Sequence, residues 1–139
     1  MSFTQNVFPT LPRMPRKAVA QVLNATGTAQ VTVVTAGANG NKVVNLVATS
    51  TDTTAQIAAV SLVRSSTTYL LATTSVPANA GNASGTAPVD LLAIIPNLAR
   101  DQDGQPYLFL ESGDTLVINT VGTVTSGKII NVHSDHAEF

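Results

Sequence analysis

The sequence predicts an all-β fold: an antiparallel β-sandwich or jelly roll of about eight strands, preceded by an extended N-terminal arm. Three observations predict it. Short runs rich in Val, Ile, Thr and Leu recur along the chain, separated by clusters of Gly, Asn, Asp, Ser and Pro. No run of ten or more residues keeps a 3.6-residue apolar period between helix caps. The length, 139 residues, suits one domain, and such a chain buries about two thirds of its unfolded surface without staples.

The arm comes first, residues 1–17, MSFTQNVFPTLPRMPRK. Pro9, Pro12 and Pro15 recur every third residue. Each removes a backbone donor and disfavours helix in the residue before it, so the segment is extended. Phe3, Val7, Phe8, Leu11 and Met14 are apolar, and Arg13, Arg16 and Lys17 gather at the end. A disordered linker rarely carries two of a chain's four Phe residues. The arm is therefore the candidate partner-binding segment, with Phe3, Phe8 and Leu11 as anchors and Arg13, Arg16 and Lys17 as the charges that set register. Packing on its own domain is the alternative.

Residues 18–139 make up the sandwich domain. Ala18, Ala20 and Val22 alternate with Val19, Gln21 and Leu23, and NATG at 24–27 turns the chain. QVTVVT at 30–35 is β-branched and suits a pleated surface. Asn39-Gly40 is a hairpin signal, because both central residues of a type I′ turn need positive φ. Strands follow at 42–51, 56–65 and 68–76, with turns at 52–54 and 65–67. PANAGNASGTAP at 77–88 is a long loop of small residues. VDLLAII at 89–95 reads as an apolar strand stopped by Pro96, with one helical turn at 97–100 and a tight loop at 101–106. Strands at 107–111, 115–120 and 128–133 complete the set, and HSDHAEF reads as a solvated, frayed tail.

Charge narrows the function. Charged residues make up 11% of the chain, against about a quarter in ordinary soluble domains. Seven Lys and Arg against eight Asp and Glu leave a net charge of −1. That balance supplies no basic face to displace phosphate counterions, so nucleic acid is not an expected partner. Weak self-repulsion favours association, as a dimer or trimer. Without Cys there are no disulfides or thiolate metal sites. No stretch approaches the ~20 apolar residues of a membrane span, and the first 17 residues lack the apolar run of a signal peptide. A membrane is thus not an expected partner.

The residues that carry chemistry elsewhere read here as structure. His133, Asp135 and His136 lie close together, but a strand end leading into a frayed tail lacks the four rigid ligands of a structural zinc site. Asp101-Gln102-Asp103-Gly104 starts like a calcium loop, yet the twelfth position is Ser112 rather than Glu. There is no G-x-S-x-G elbow, and TAGANGNK at 35–42 misses the phosphate-loop spacing. Asp52, Asp101, Asp103 and Asp114 fall in turns and read as turn formers. The expectation is a binding protein and not an enzyme, with no catalytic residue, cofactor or metal. Carbohydrate binding is disfavoured, since aromatic residues are 4% of the chain and Trp is absent.

The run VTAGANGNKVV, Val34 to Val44, resembles small virion proteins of tailed bacteriophages in which a similar glycine-rich turn precedes a strand. A turn at Asp52 to Ala55, an apolar strand and a short C-terminal strand also have counterparts there. The resemblance spans about Thr28 to Val132 and is specific at 34–44. It implies a capsid cement, or decoration, protein, similar to the jelly-roll cement protein of a Bordetella podophage. Such proteins sit on the outer capsid surface, bind the major capsid protein, bridge neighbouring subunits and stabilise the shell, and they are made in the host cytoplasm. A tail, fibre or head-fibre domain is the alternative within the virion.

Overall fold

A computed structural model of the chain describes residues 14–139. Phe3, Phe8, Leu11 and Arg13 lie outside the described residues. The strands are β1 (Met14–Leu23), β2 (Val31–Thr35), β3 (Asn41–Ser50), β4 (Gln56–Arg64), β5 (Thr67–Val76), β6 (Val89–Asp90), β7 (Ala99–Arg100), β8 (Pro106–Leu110), β9 (Thr115–Thr120) and β10 (Ile129–Glu138), with one 3-10 turn at Asn24–Thr26.

The strands form two antiparallel sheets. Sheet A runs β1-β10-β3-β8-β7, with β6 also on β3, and sheet B runs β2-β9-β4-β5. Leaving aside the two-residue strands β6 and β7, eight remain. The first pairs with the last (β1 with β10), the second with the seventh (β2 with β9), the third with the sixth (β3 with β8) and the fourth with the fifth (β4 with β5). A ribbon folded back on itself in this way and rolled into two sheets is a jelly roll. The expected antiparallel sandwich is therefore the fold.

The core follows from period-two alternation. Val22, Val43, Leu46, Ile130 and Val132 face in from sheet A, and Val34, Val60, Leu116 and Ile118 face in from sheet B; all are buried. Each such Leu or Ile contributes roughly 1.5–3 kcal/mol. A bulge in β3 protects the pattern. Opposite β10 the register jumps from Asn45 to Val43, so Val44 is an extra residue, half-exposed, and Val43 and Leu46 both stay inside.

Several expectations change in three dimensions. Residues 14–17, assigned to the arm, belong to β1, where Pro15 sits opposite Ala137 on an edge strand that tolerates its missing donor. The tail from His133 to Glu138 is not frayed: β10 continues through it between β1 and β3. Of 89–95, only Val89–Asp90 is strand. The Asp90 carboxylate accepts from the backbone N–H of Leu92 at 3.0 Å and of Ala93 at 3.1 Å, which turns the chain. Leu91, Leu92 and Ile95 then enter the core as a plug. Residues 97–100 are not a helical turn: Ala99–Arg100 is strand and pairs with β8.

The two tight turns also exchange roles. Asn39-Gly40 is no hairpin, because β2 and β3 lie in different sheets. The Gly40 N–H donates to the Gly37 carbonyl at 3.0 Å. Gly40 has φ +85°, and a Cβ there would lie 2.6 Å from the Leu110 carbonyl oxygen, so only glycine fits. Positive φ at two successive residues instead occurs at Ser65 (φ 50°) and Ser66 (φ 63°), between the paired residues Arg64 and Thr67 of the β4–β5 hairpin. Asn-Gly is the preferred pair for such a turn, and left-handed backbone at other residues costs about 1–2 kcal/mol. The double substitution S65N/S66G is expected to stabilise the fold by about 1 kcal/mol and raise the midpoint of thermal unfolding by about 3 °C. An unchanged or lower midpoint would count against that backbone geometry.

Candidate interaction surfaces

β1 carries the two arm cations that are described. Arg16 pairs with Glu138 at 3.5 Å, and Lys17 with Asp135 at 3.1 Å. Both partners are on β10, so these charges already have counterparts inside the domain. Such exposed pairs contribute about 0–1 kcal/mol. Asp135 continues the row by accepting from the Asn45 amide on β3 at 3.2 Å. Two pleat repeats away, beyond the row of Val19 and His133, the Gln21 amide donates to Asn131 at 3.0 Å. The outer face of sheet A is thus laced with polar rows across three strands.

The two histidines do not meet. Along β10 the alternation is unbroken, so His133 lies outward in the row of Val19 and Val47, while His136 is buried on the inner side. Burial pushes the His136 imidazole below its ordinary range, against the pull of Glu138 and Asp135, and it stays neutral at pH 7. Among the described residues no group of three His, Asp or Glu side chains is placed to hold a metal ion. The Asp101 loop is a polar turn: its carboxylate accepts from the backbone of Asp103 and Gln105 and faces Lys42 at 3.6 Å.

Sheet B differs sharply in charge. Its four strands hold one charged side chain, Arg64. Arg64 is occupied: its guanidinium binds both oxygens of Asp114, with Nε to Oδ1 at 2.7 Å, and lies 3.6 Å from Glu111. Sheet A strands carry Arg16, Lys17, Lys42, Asp90, Arg100, Asp135 and Glu138. The scarcity of charge in the chain is therefore concentrated in one sheet. On that sheet Ile57, Tyr69 and Leu70 are half or more exposed.

Both ends of sheet B close on a buried aspartate. Asp52, in the β3–β4 connection, is fully buried. Its carboxylate accepts from the Thr54 N–H, the Thr125 N–H and hydroxyl and the Gln56 amide, at 2.8–3.0 Å. Its own carbonyl accepts from Asn79 N–H at 2.9 Å. At the other end Asp114 accepts from Arg64 and the Glu111 N–H, and its carbonyl from Ala36 N–H. Reading these residues as turn formers found their position. What it missed is that each ties together segments distant in sequence, and nothing local in the sequence marks that.

Among solved structures the fold is similar to a chain of the acidic stable capsid structure of Helicobacter pylori bacteriophage KHP30, with TM-score 0.43, 12% identity, and 93% of this chain and 97% of that chain covered. No family model matches the sequence, and no curated protein does. A likeness of this extent carries no argument about function.

The Asp52 site sets an acid limit. Burial alone would raise its carboxyl, but the donors from Thr125, Thr54 and Gln56 outweigh it and hold the pKa at about 2, against 3.8 unperturbed. A folded pKa below the unfolded one means stability that is complete above about pH 4 and lost as pH falls toward 2, worth about 2 kcal/mol. Asp114, hydrogen-bonded by Arg64, and Asp135, hydrogen-bonded by Lys17 and Asn45, are lowered as well and act in the same direction. D52N is expected to lose about 2 kcal/mol at pH 7 and to show a shallower decline between pH 4 and 2. Denaturant unfolding across that range measures both, and an unchanged pH slope would refute the role of Asp52.

Proposed function

We propose that this protein is a capsid cement, or decoration, protein of a tailed bacteriophage. It binds the outside of the shell, bridges neighbouring major capsid protein subunits and stabilises them, by binding and without turnover. It is made in the host cytoplasm and resides on the outer capsid surface, engaging neither nucleic acid nor membrane. One observation carries the reading: a jelly roll whose sheet B is almost uncharged while sheet A is charged. Permanent contact with a shell removes water from the binding surface, and uncharged residues lose little by that, whereas unpaired charges lose much.

The resemblance at 34–44 supports the same reading. That run is the end of β2, the Gly37–Gly40 turn and the start of β3, so it crosses from one sheet to the other. Closeness to the cement protein of a Bordetella podophage is part of the proposal. A tail or fibre part would share these traits and is told apart by position on the particle. Carbohydrate binding has less support, since aromatic residues are 4% of the chain and Trp is absent, and the exposed Tyr69 and Phe109 lie on different sheets.

The arm is the proposed anchor. It enters β1 opposite Glu138, at one end of sheet A, and the described core begins on β1 with Ala18, Ala20 and Val22. Burying Phe3 and Phe8 contributes roughly 1.5–3 kcal/mol each. Deleting residues 2–12 is expected to leave a folded domain whose affinity for particles lacking the protein falls by about a hundredfold or more. Occupancy by electron microscopy, with circular dichroism as the folding check, reads the outcome. Unchanged occupancy would move the contact to the sandwich, and unfolded protein would place the arm in the domain's own core.

A further inference from the structure

A sheet edge presents unpaired backbone donors and acceptors, and proteins block such edges in a few recognisable ways. The two sheets have four outermost strands, and three are blocked; β6, which pairs with β3 alone, is a further edge only two residues long. β1 carries Pro15, Arg16 and Lys17. β7 is two residues long. β2 is five residues long and is broken by a bulge at Val33, between the pairs Thr32–Val117 and Val34–Leu116. The fourth edge, β5, has ten residues, TTYLLATTSV, without a proline or a charge. Its one bulge, at Leu71, leaves Ala72–Val76 regularly paired to β4, and among the described residues nothing hydrogen-bonds to its other side. Leu70 is 63% exposed and Tyr69 52%, with Ile57 of β4 50% exposed on the same sheet.

We propose that β5 is a dimerisation edge, pairing antiparallel with β5 of a second copy to join two B sheets into one of eight strands. A strand that meets itself across a two-fold axis must tolerate its own side chains in apposition. β5 does so in any register, because it offers no like charges to oppose. A partner of different sequence selected by charge would find nothing to read here. The segment before β1 is a poorer occupant, since Pro9 and Pro12 each remove a backbone donor from it. With one open edge per subunit among the described residues, the assembly closes as a dimer and does not extend into a filament. This dimer stands or falls independently of where the protein acts.

The full-length protein is expected to sediment as a dimer. L70K/T73K, at two exposed positions, places like charges across the axis and is expected to raise the dimer dissociation constant by about a hundredfold or more, with an unchanged circular dichroism spectrum. The chain has no Cys, so single Cys variants at Thr73, Thr74 and Ser75 report the contact directly. Residues facing each other across an antiparallel pair lie within disulfide reach. At least one of the three is expected to give a covalent dimer on oxidation, whereas V19C on the β1 edge stays monomeric. A wild-type monomer at every concentration, a dimer that survives L70K/T73K, or crosslinking at Val19 alone would overturn the proposal. So would a dimer lost on deleting residues 2–12 but kept in L70K/T73K, which would assign the contact to the arm.

Discussion

The buried carboxylate of Asp52 is the contact on which one whole end of the molecule depends. In this jelly roll every connection between successive long strands except the β4–β5 hairpin crosses from one sheet to the other. Two sheets that share few backbone ladders must be held in register by what happens at their ends. Asp52 accepts from its own loop and from the β9–β10 loop, while its carbonyl holds the start of the long β5–β8 connection. A charge taken out of water is costly unless it is fully hydrogen-bonded, and the four donors around Asp52 meet that condition.

Asp114 repeats the device at the opposite end, with a difference. Its partner Arg64 is the one charge of sheet B, and the pair is bidentate. Planar, two-point contact gives geometric definition as well as attraction. It fixes the β8–β9 turn against the end of β4, while Ala36 N–H brings in the β2–β3 crossing. The two aspartates thus bracket β4 and β9, the central strands of sheet B. That sheet is nearly uncharged, and its single charge, Arg64, though partly exposed, is paired with Asp114 within the same domain.

The long β5–β8 connection closes the sandwich side that strands leave open. Ala80, Leu91, Leu92 and Ile95 pack into the core from it, although most of the segment is neither strand nor helix. Its backbone is held by β3 and by its own turn: Ala80 accepts from Ser50 N–H, Leu46 accepts from Leu91 N–H, and Asp90 caps the turn that follows it. A connection of irregular backbone can lie against a core only when its donors and acceptors are accounted for in this way.

What the sequence by itself determined is the fold class, the position of nearly every long strand and the absence of a helical period. Those features rest on local chemistry: alternating apolar residues, β-branched side chains and the turn residues between them. It also marked Gly40 and Asp52 as turn positions. The tertiary structure alone decided the rest. Val89–Ile95 has strand composition, but the Asp90 carboxylate turns it into a core plug. His136 and Glu138 look like tail, yet β1 and β3 flank them and make β10 a central strand. Asn39-Gly40 looks like a hairpin, yet its flanking strands belong to different sheets, and the hairpin with two left-handed residues is built from Ser65 and Ser66. The reason is the same in each case. Alternation sets which side of a strand faces the core, but which strand lies beside it depends on residues as much as 124 positions away, as Met14 and Glu138 are, and burial, edge exposure and the partners of a buried charge are all consequences of that pairing.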